Sequence, residues 1–547
     1  WNKKEKYRRD GKGDPFADPS ITFDVMGSKY WTRKFWYGDD RDAIMSNTDW
    51  QDEGLQPATK NNFQITLTKG VESGSFLVSG NYLDQEGLFK GTSFKRYNFR
   101  SNARYDINKR IEVGMNLSAS HSLADGYNNG EGKESPYMRL IVADPTVPVD
   151  GNTRSHEYGL LTGDPNPIIQ SQVITDDTKT TRTLGNMFAN FQIIDGLKLG
   201  GQYGLDIRRI ESTWFKPMYV NKKARREGDQ NNVNSLRSLV QGTLSYDKTF
   251  GDHTIGLLAG SSYEESHSKR VNIDSWDFAS DDIHTFNTAA TFRNWNDTET
   301  EWSLLSYFSR ASYNYSDKYI VSASIRRDGS SRFGKDTKFG IFPAASAAWR
   351  VSEEDFFEDV SIITNMKVRL SWGQTGNDNI GNYSSFGRLS NYNYSYGGNL
   401  AFGFAPTSAD NPTLTWETNT TTDFGIDLGF LGNRITLAAD YYINKTTDLL
   451  LDVPAPAITG FPGSVTLNSG SVENKGWEFE VSSTNVQSSA LGGIRWKTSF
   501  NISHNENEVT SLGYGIKELI GELRSVPTHI TKVGLPIRSF FLYDFIG

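Results

Sequence analysis

The chain has no cysteine, which excludes disulfides and thiolate metal sites. No stretch approaches the about 18 consecutive apolar residues of a transmembrane helix. That excludes helical spans and leaves a transmembrane β-barrel open. Basic charge is the minority: 57 Lys and Arg against 65 Asp and Glu give a net charge of −8. A nucleic-acid partner is therefore disfavoured, because phosphate binding needs a basic surface. Residue 1 is not methionine, and Trp1-Asn2-Lys3-Lys4-Glu5-Lys6 has no apolar segment of signal-peptide type. The chain is expected to be a fragment or a processed piece.

Catalytic spacings are missing as well. The seven histidines (His121, His156, His253, His267, His284, His504 and His529) are dispersed, with no His-Glu-x-x-His pair to hold zinc. There is no Gly-x-Ser-x-Gly elbow. Carboxylate pairs such as Asp281-Asp282 and Glu353-Glu354 are adjacent, so they diverge in extended backbone and read as solvated loop charge. The expectation is a protein without enzymatic activity, cofactor or metal.

What is present is aromatic, glycine-rich and alternating. Hydrophobic residues reach only 36%, yet aromatics make up 13% and there are 51 glycines. Such a balance is expected when half of each strand faces water and aromatic girdles mark two interfaces. From Arg434 onward Ile435, Leu437, Ala439, Tyr441 and Ile443 alternate with Thr436, Ala438, Asp440, Tyr442 and Asn444. A period of two puts these rows on opposite faces of a strand. Phe76-Val78-Gly80-Tyr82, Ile111-Val113-Met115-Leu117-Ala119 and Tyr319-Val321-Ala323-Ile325 repeat the pattern. The segments exceed the about 5–6 residues of a globular strand and suffice to cross a bilayer when tilted. Ile435, Leu437, Ala439, Tyr441 and Ile443 are accordingly expected to face lipid, with Asp440 and Asn444 towards a lumen.

Connections alternate in length. Tight turns are expected at Asp106-Ile107-Asn108, Ile194-Asp195-Gly196, Phe250-Gly251-Asp252, Tyr315-Ser316-Asp317 and Leu431-Gly432-Asn433. Long loops are expected at about 123–178, 214–235, 268–299, 377–412 and 450–470. Short turns on one side and long loops on the other are the layout of outer-membrane barrels. The fold class is thus all-β, a large antiparallel transmembrane β-barrel of roughly 16 strands here. The rival is a soluble surface or adhesive β-protein with aromatic cores.

Two motifs invite chemistry and are better read as structure. Arg326-Arg-Asp-Gly-Ser-Ser-Arg332 is Gly/Ser-rich and flanked by arginines, but lacks P-loop spacing; a turn with Arg326 and Arg332 in ion pairs fits better. Gly376-Asn-Asp-Asn-Ile-Gly-Asn382 offers oxygens for calcium without EF-hand spacing, and reads as a turn. Loop aromatics are more suggestive. Tyr392, Tyr394 and Tyr396 alternate beside Asn391 and Asn393; Trp214 and Tyr219 start one loop and Trp295 ends another. Flat rings next to amides and carboxylates suit sugar recognition, so these six are the candidate substrate contacts. The competing reading makes them girdle or loop-packing residues.

Several blocks resemble the SusC/RagA family of TonB-dependent outer-membrane transporters of Bacteroidetes. They include Thr48-Asp49-Trp50, Tyr82-Leu-Asp-Gln-Glu-Gly87, Arg96-Tyr-Asn-Phe-Arg-Ser-Asn102 and Arg326-Arg-Asp-Gly-Ser-Ser-Arg-Phe-Gly334. Gly340-Ile-Phe-Pro343, Lys367 through Asn377, Trp416-Glu417, Gly425-Ile-Asp427 and Gly470-Ser-Val-Glu-Asn-Lys-Gly476 follow in family order. The resemblance implies a barrel of about 22 strands closed by an N-terminal plug. It also implies a SusD-like surface lipoprotein as lid, coupling to TonB–ExbB–ExbD, and uptake of an oligomeric nutrient, a glycan or a peptide. Residues 1–52 are expected to be a linker after the plug, and residues 53–547 a partial barrel short of its C-terminal strands. Such a piece alone is expected neither to close nor to transport.

Overall fold

Sixteen antiparallel strands form one continuous sheet in this computed structural model. The structure describes residues 48–126, 136–143, 149, 166–220, 225–454, 458, 464–488, 493–513, 515–523 and 526–543, with two short strands at 23–25 and 28–30. The sheet strands are β1 (Lys60–Val71), β2 (Gly74–Glu86), β3 (Ser93–Asn108), β4 (Ile111–Asp125), β5 (Thr175–Ile194) and β6 (Leu197–Lys216). Next come β7 (Glu227–Phe250), β8 (His253–Phe278), β9 (Ala289–Tyr315), β10 (Tyr319–Ser330) and β11 (Phe339–Arg350). The last are β12 (Ile363–Asn377), β13 (Glu417–Phe430), β14 (Ile435–Thr447), β15 (Ser471–Ser488) and β16 (Ile494–Ser511). Every strand pairs with the next in chain order, and β1 and β16 are the two edges.

Period-two alternation decides the faces. On one face Phe76, Phe99, Tyr105, Met187, Leu199, Tyr203, Leu370, Phe424, Tyr441 and Phe500 are large, apolar and exposed. A soluble sandwich would bury such a row; an outer-membrane barrel turns it to lipid. The other face is polar and ion-paired. Arg369 on β12 donates to both carboxylate oxygens of Asp427 at 2.9 Å and lies 2.9 Å from Asp440 on β14. Asp440 therefore points inward, as the alternation predicts, while Tyr441 beside it is exposed on the outer face. Arg369 reaches two strands away because Gly425 stands between. A Cβ there would lie 2.3 Å from Asp440 Oδ1 and 2.6 Å from Arg369 Cζ.

Short turns gather at one end of the sheet. The β13–β14 turn holds Leu431, Gly432 and Asn433 at φ +54°, +68° and +60°, the left-handed region that Gly and Asn tolerate best. At the same end, between β11 and β12, Glu354 receives Tyr319 Oη at 2.5 Å and Trp349 Nε1 at 2.9 Å. These donors, with Lys318 nearby, hold its carboxyl below the usual glutamate range. Long connections occupy the opposite end. Two of the expected ones are far shorter: 217–226 in place of 214–235, and 279–288 in place of 268–299. Strands β7, β8 and β9 run for 24, 26 and 27 residues and absorb the difference. Their ends, such as Asp229-Gln-Asn-Asn232, are polar on both faces, so alternation fades there although the ladder continues.

Candidate functional site

The long-loop end is organised around one buried knot, with an exposed ribbon rising from it. Phe333, Phe342, Leu414 and Trp416 form the knot, joined by Leu304, Ile380 and Leu450. Trp416 meets the Phe333 and Phe342 rings at 5.2 and 5.3 Å between centroids and donates Nε1 to Lys338 O at 2.8 Å. Gly376 makes room for Phe342: a Cβ there would lie 2.1 Å from Phe342 Cζ.

A polar shell ties the knot to its surroundings. Arg326 Nε lies 2.7 Å from Asp328, and its Nη2 donates to Ser306 Oγ at 2.8 Å. Arg332 donates to Asn382 Oδ1 and to the Asp378 carbonyl, each at 3.0 Å, and lies 3.3 Å from the Asp378 carboxylate. Ser330 Oγ donates to that carboxylate at 2.8 Å. Both arginines are thus in ion pairs, as the turn reading requires. Asp378 Oδ2 meets both Ser330 and Arg332, and the Asp378 carbonyl accepts from Arg332 as well. Glu417 accepts from Asn377 Nδ2 at 3.0 Å and from Leu450 N at 3.1 Å. Asn468 bonds Thr415 through both its N–H and its C=O, at 2.8 and 2.7 Å.

The ribbon spans 388–408. Arg388–Asn391 pairs with Phe404–Ser408, and Tyr394–Tyr396 with Asn399–Ala401 around Gly397-Gly398. Both glycines have positive φ, +60° and +80°, the geometry a two-residue hairpin turn requires. From Leu389 to Ala409 no side chain is charged. Tyr392, Tyr394 and Tyr396 recur at every second position and are all exposed. Leu389, Leu400, Phe402 and Phe404, also exposed, belong to the alternate register.

The other candidates fall elsewhere. Trp214 lies inside β6, in the row of Asp206 on the inner face, and packs against the Ile174–Val220 cluster. Trp295 lies inside β9, not at a loop end, and is 74% exposed in the outward row of Tyr307 and Tyr313. The Tyr219 side chain lies outside the described residues. The structure therefore brings the three ribbon tyrosines together and leaves the two tryptophans apart from them.

Register also joins residues that sequence spacing could not. His267 lies opposite Glu301, with Nδ1 3.0 Å from Glu301 and Nε2 3.2 Å from Glu299. Trp302 has guanidiniums over its ring from Arg332 at 4.9 Å and Arg237 at 5.4 Å. Asp281, expected as free loop charge, instead anchors a connection by accepting Arg226 Nε and Met218 N, both at 2.9 Å. Each contact depends on strand pairing across tens of residues, for which local sequence gives no signal.

An apolar outward face, a polar inner face and unequal ends define an outer-membrane β-barrel. Residues 142–538 match the family model described as TonB dependent receptor-like, beta-barrel. The chain belongs to that family, with the SusC/RagA type as its near relatives. It is 31% identical over 526 residues to TonB-dependent receptor P3 of Formosa agariphila, covering 92% of this chain and 51% of that protein. It is 28% identical over 589 residues to TonB-dependent receptor SusC of Bacteroides thetaiotaomicron, covering 97% of this chain and 56% of the relative. The structure of the RagAB peptide transporter superposes with a TM-score of 0.78 at 26% identity, over 90% of this chain and 55% of that one. The chain spans about half the length of the curated relatives it matches.

Proposed function

We propose that this barrel belongs to a TonB-coupled importer that captures an oligomeric glycan at its outer rim, beneath a SusD-like lipoprotein lid. The uncharged part of the ribbon, from Leu389 to Ser408, carries this reading. Tyr392, Tyr394 and Tyr396 offer rings on which pyranose C–H faces stack, and Asn399, paired with Tyr396 on the same face, offers an amide for hydroxyls. Leu389, Leu400, Phe402 and Phe404 supply an apolar surface for the lid, since so large an exposed apolar patch favours a protein partner. TonB–ExbB–ExbD would provide the energy through parts of the whole protein beyond this chain. The barrel binds and admits the cargo without altering it.

The second reading is a peptide cargo, favoured by the likeness to the RagAB peptide transporter. Peptides bring charged termini and side chains, for which the stretch from Leu389 to Ala409 has no ionic partner. Calorimetry on the full-length protein separates the two. Neutral oligosaccharides are expected to bind, and a Tyr392/Tyr394/Tyr396→Ala variant to lose that binding. Binding of a tryptic peptide mixture with no response to any oligosaccharide would favour the peptide reading.

A further inference from the structure

The β8–β9 hairpin sets a histidine between two glutamates on the outward side of the sheet. His267 belongs to the outward row of Tyr263, and Glu299 and Glu301 to that of Tyr307. Register places Glu301 directly opposite His267, and Glu299 opposite Lys269. Nδ1 of His267 makes a 3.0 Å hydrogen bond with Glu301 Oε1. Nε2 lies 3.2 Å from Glu299 Oε1, beside it rather than hydrogen-bonded to it. Donor atoms of the three side chains all lie within 4.8 Å of one another. Lys269, the nearest basic side chain in the row, pairs with Asp297 at 3.6 Å. Leu236 of β7 flanks His267 on its other side. The β10 ladder stops at Ser330, opposite Leu304, so β9 has no strand neighbour beside the two glutamates. Glu301 N donates there to Tyr383 Oη at 3.0 Å, and the cluster is open to water.

We propose that His267 and Glu299 bind a zinc ion that bridges β8 and β9, with Glu301 orienting the imidazole. A neutral imidazole carries one N–H. With that hydrogen on Nδ1 and given to Glu301, the Nε2 lone pair is left beside a carboxylate oxygen. Two acceptors then stand together without a donor, and a divalent cation between them turns the conflict into two bonds. Ligands of a tetrahedral zinc with bonds of about 2.0–2.1 Å lie about 3.3 Å apart, close to the Nε2–Glu299 separation. Glu301 fixes the tautomer through Nδ1–H, as carboxylates behind zinc-bound histidines do, and water fills the remaining positions. The nitrogen donor selects zinc over calcium, which takes oxygen ligands. The site lies on the outer face of the hairpin and does not depend on the cargo proposed for the ribbon.

The test uses untagged full-length protein, stripped with a chelator and titrated with zinc chloride near neutral pH. Calorimetry is expected to show one zinc per chain that His267→Gln and Glu299→Gln variants no longer bind. Glu301→Ala, which removes only the group behind the ring, should bind that zinc about tenfold more weakly. Cobalt(II) in the same site should give visible d–d absorption that His267→Gln abolishes. Heat-modifiable migration on gels shows that each variant has folded. Absence of zinc binding by the unaltered protein overturns the proposal and leaves His267 as a protonated partner of both glutamates. Zinc binding by a folded His267→Gln variant as tight as that of the unaltered protein overturns it equally.

Discussion

At the root of the β12–β13 connection Phe333, Leu414 and Trp416 are almost wholly buried, whereas at its tip Tyr396 and Phe402 are 76% and 86% exposed. The root is held by charge-assisted bonds from Arg332 to Asp378 and by Asn468 gripping Thr415; the tip has no charge to pair. Four stretches from the blocks that resemble the family, Arg326–Gly334, Gly340–Pro343, Gln374–Asn377 and Trp416-Glu417, converge on the root. These blocks build a scaffold, and the exposed ribbon begins where they stop.

The contrast can be broken most forcefully at the root. Trp416→Ala removes a ring wedged between Phe333 and Phe342, so it should destabilise the barrel by about 3–5 kcal/mol. The heat-modifiable fraction of the full-length protein is expected to collapse, and a wild-type yield would mean that the knot is dispensable. Gly376→Ala drives a methyl into the Phe342 ring and should cost about 1–3 kcal/mol through overpacking. Shortening the ring in a Gly376→Ala/Phe342→Leu double variant should recover part of that loss in the same assay.

At the tip, replacing Tyr392, Tyr394 and Tyr396 together by alanine should change stability by no more than about 0.5 kcal/mol. Cargo affinity should still fall by about tenfold or more, since an aromatic contact contributes about 0.5–1.5 kcal/mol. A large drop in melting temperature would show that the ribbon is structural after all.

The smallest effect belongs to Glu354, at the opposite end of the barrel. Its carboxyl is held low by Tyr319 Oη first and then by Trp349 Nε1. A depressed folded-state value contributes stability above the ordinary glutamate range and loses it as pH falls through the folded value. Acid titration of the melting temperature should show that loss in the unaltered protein, and Glu354→Gln should flatten it.

The wall was legible from period-two alternation because lipid and water make opposite demands on its faces. The row from Ile435 to Ile443 and the inward Asp440 follow from that alone. Alternation failed at 227–235 and 289–299, where both faces meet water and nothing selects apolar residues. The knot was illegible for a different reason. Arg332 finds Asp378 and Trp416 finds Lys338 only after β10, β11, β12 and β13 are in register. Trp214 and Trp295 share the aromatic chemistry of the ribbon tyrosines, yet strand position separates them. One is packed against a loop core and the other turned to the outer face.

Strand length carries a further consequence. At about 3.4 Å per residue, the 27 residues of β9 measure roughly 90 Å, or about 70 Å upright at a tilt of about 40°. The hydrocarbon core takes only about 30 Å of that height. The β8–β9 hairpin therefore stands as a parapet well above the lipid headgroups on the long-loop side. Antibodies, phage tails and proteases approaching the cell would meet Trp295 and its neighbours before they reached the bilayer.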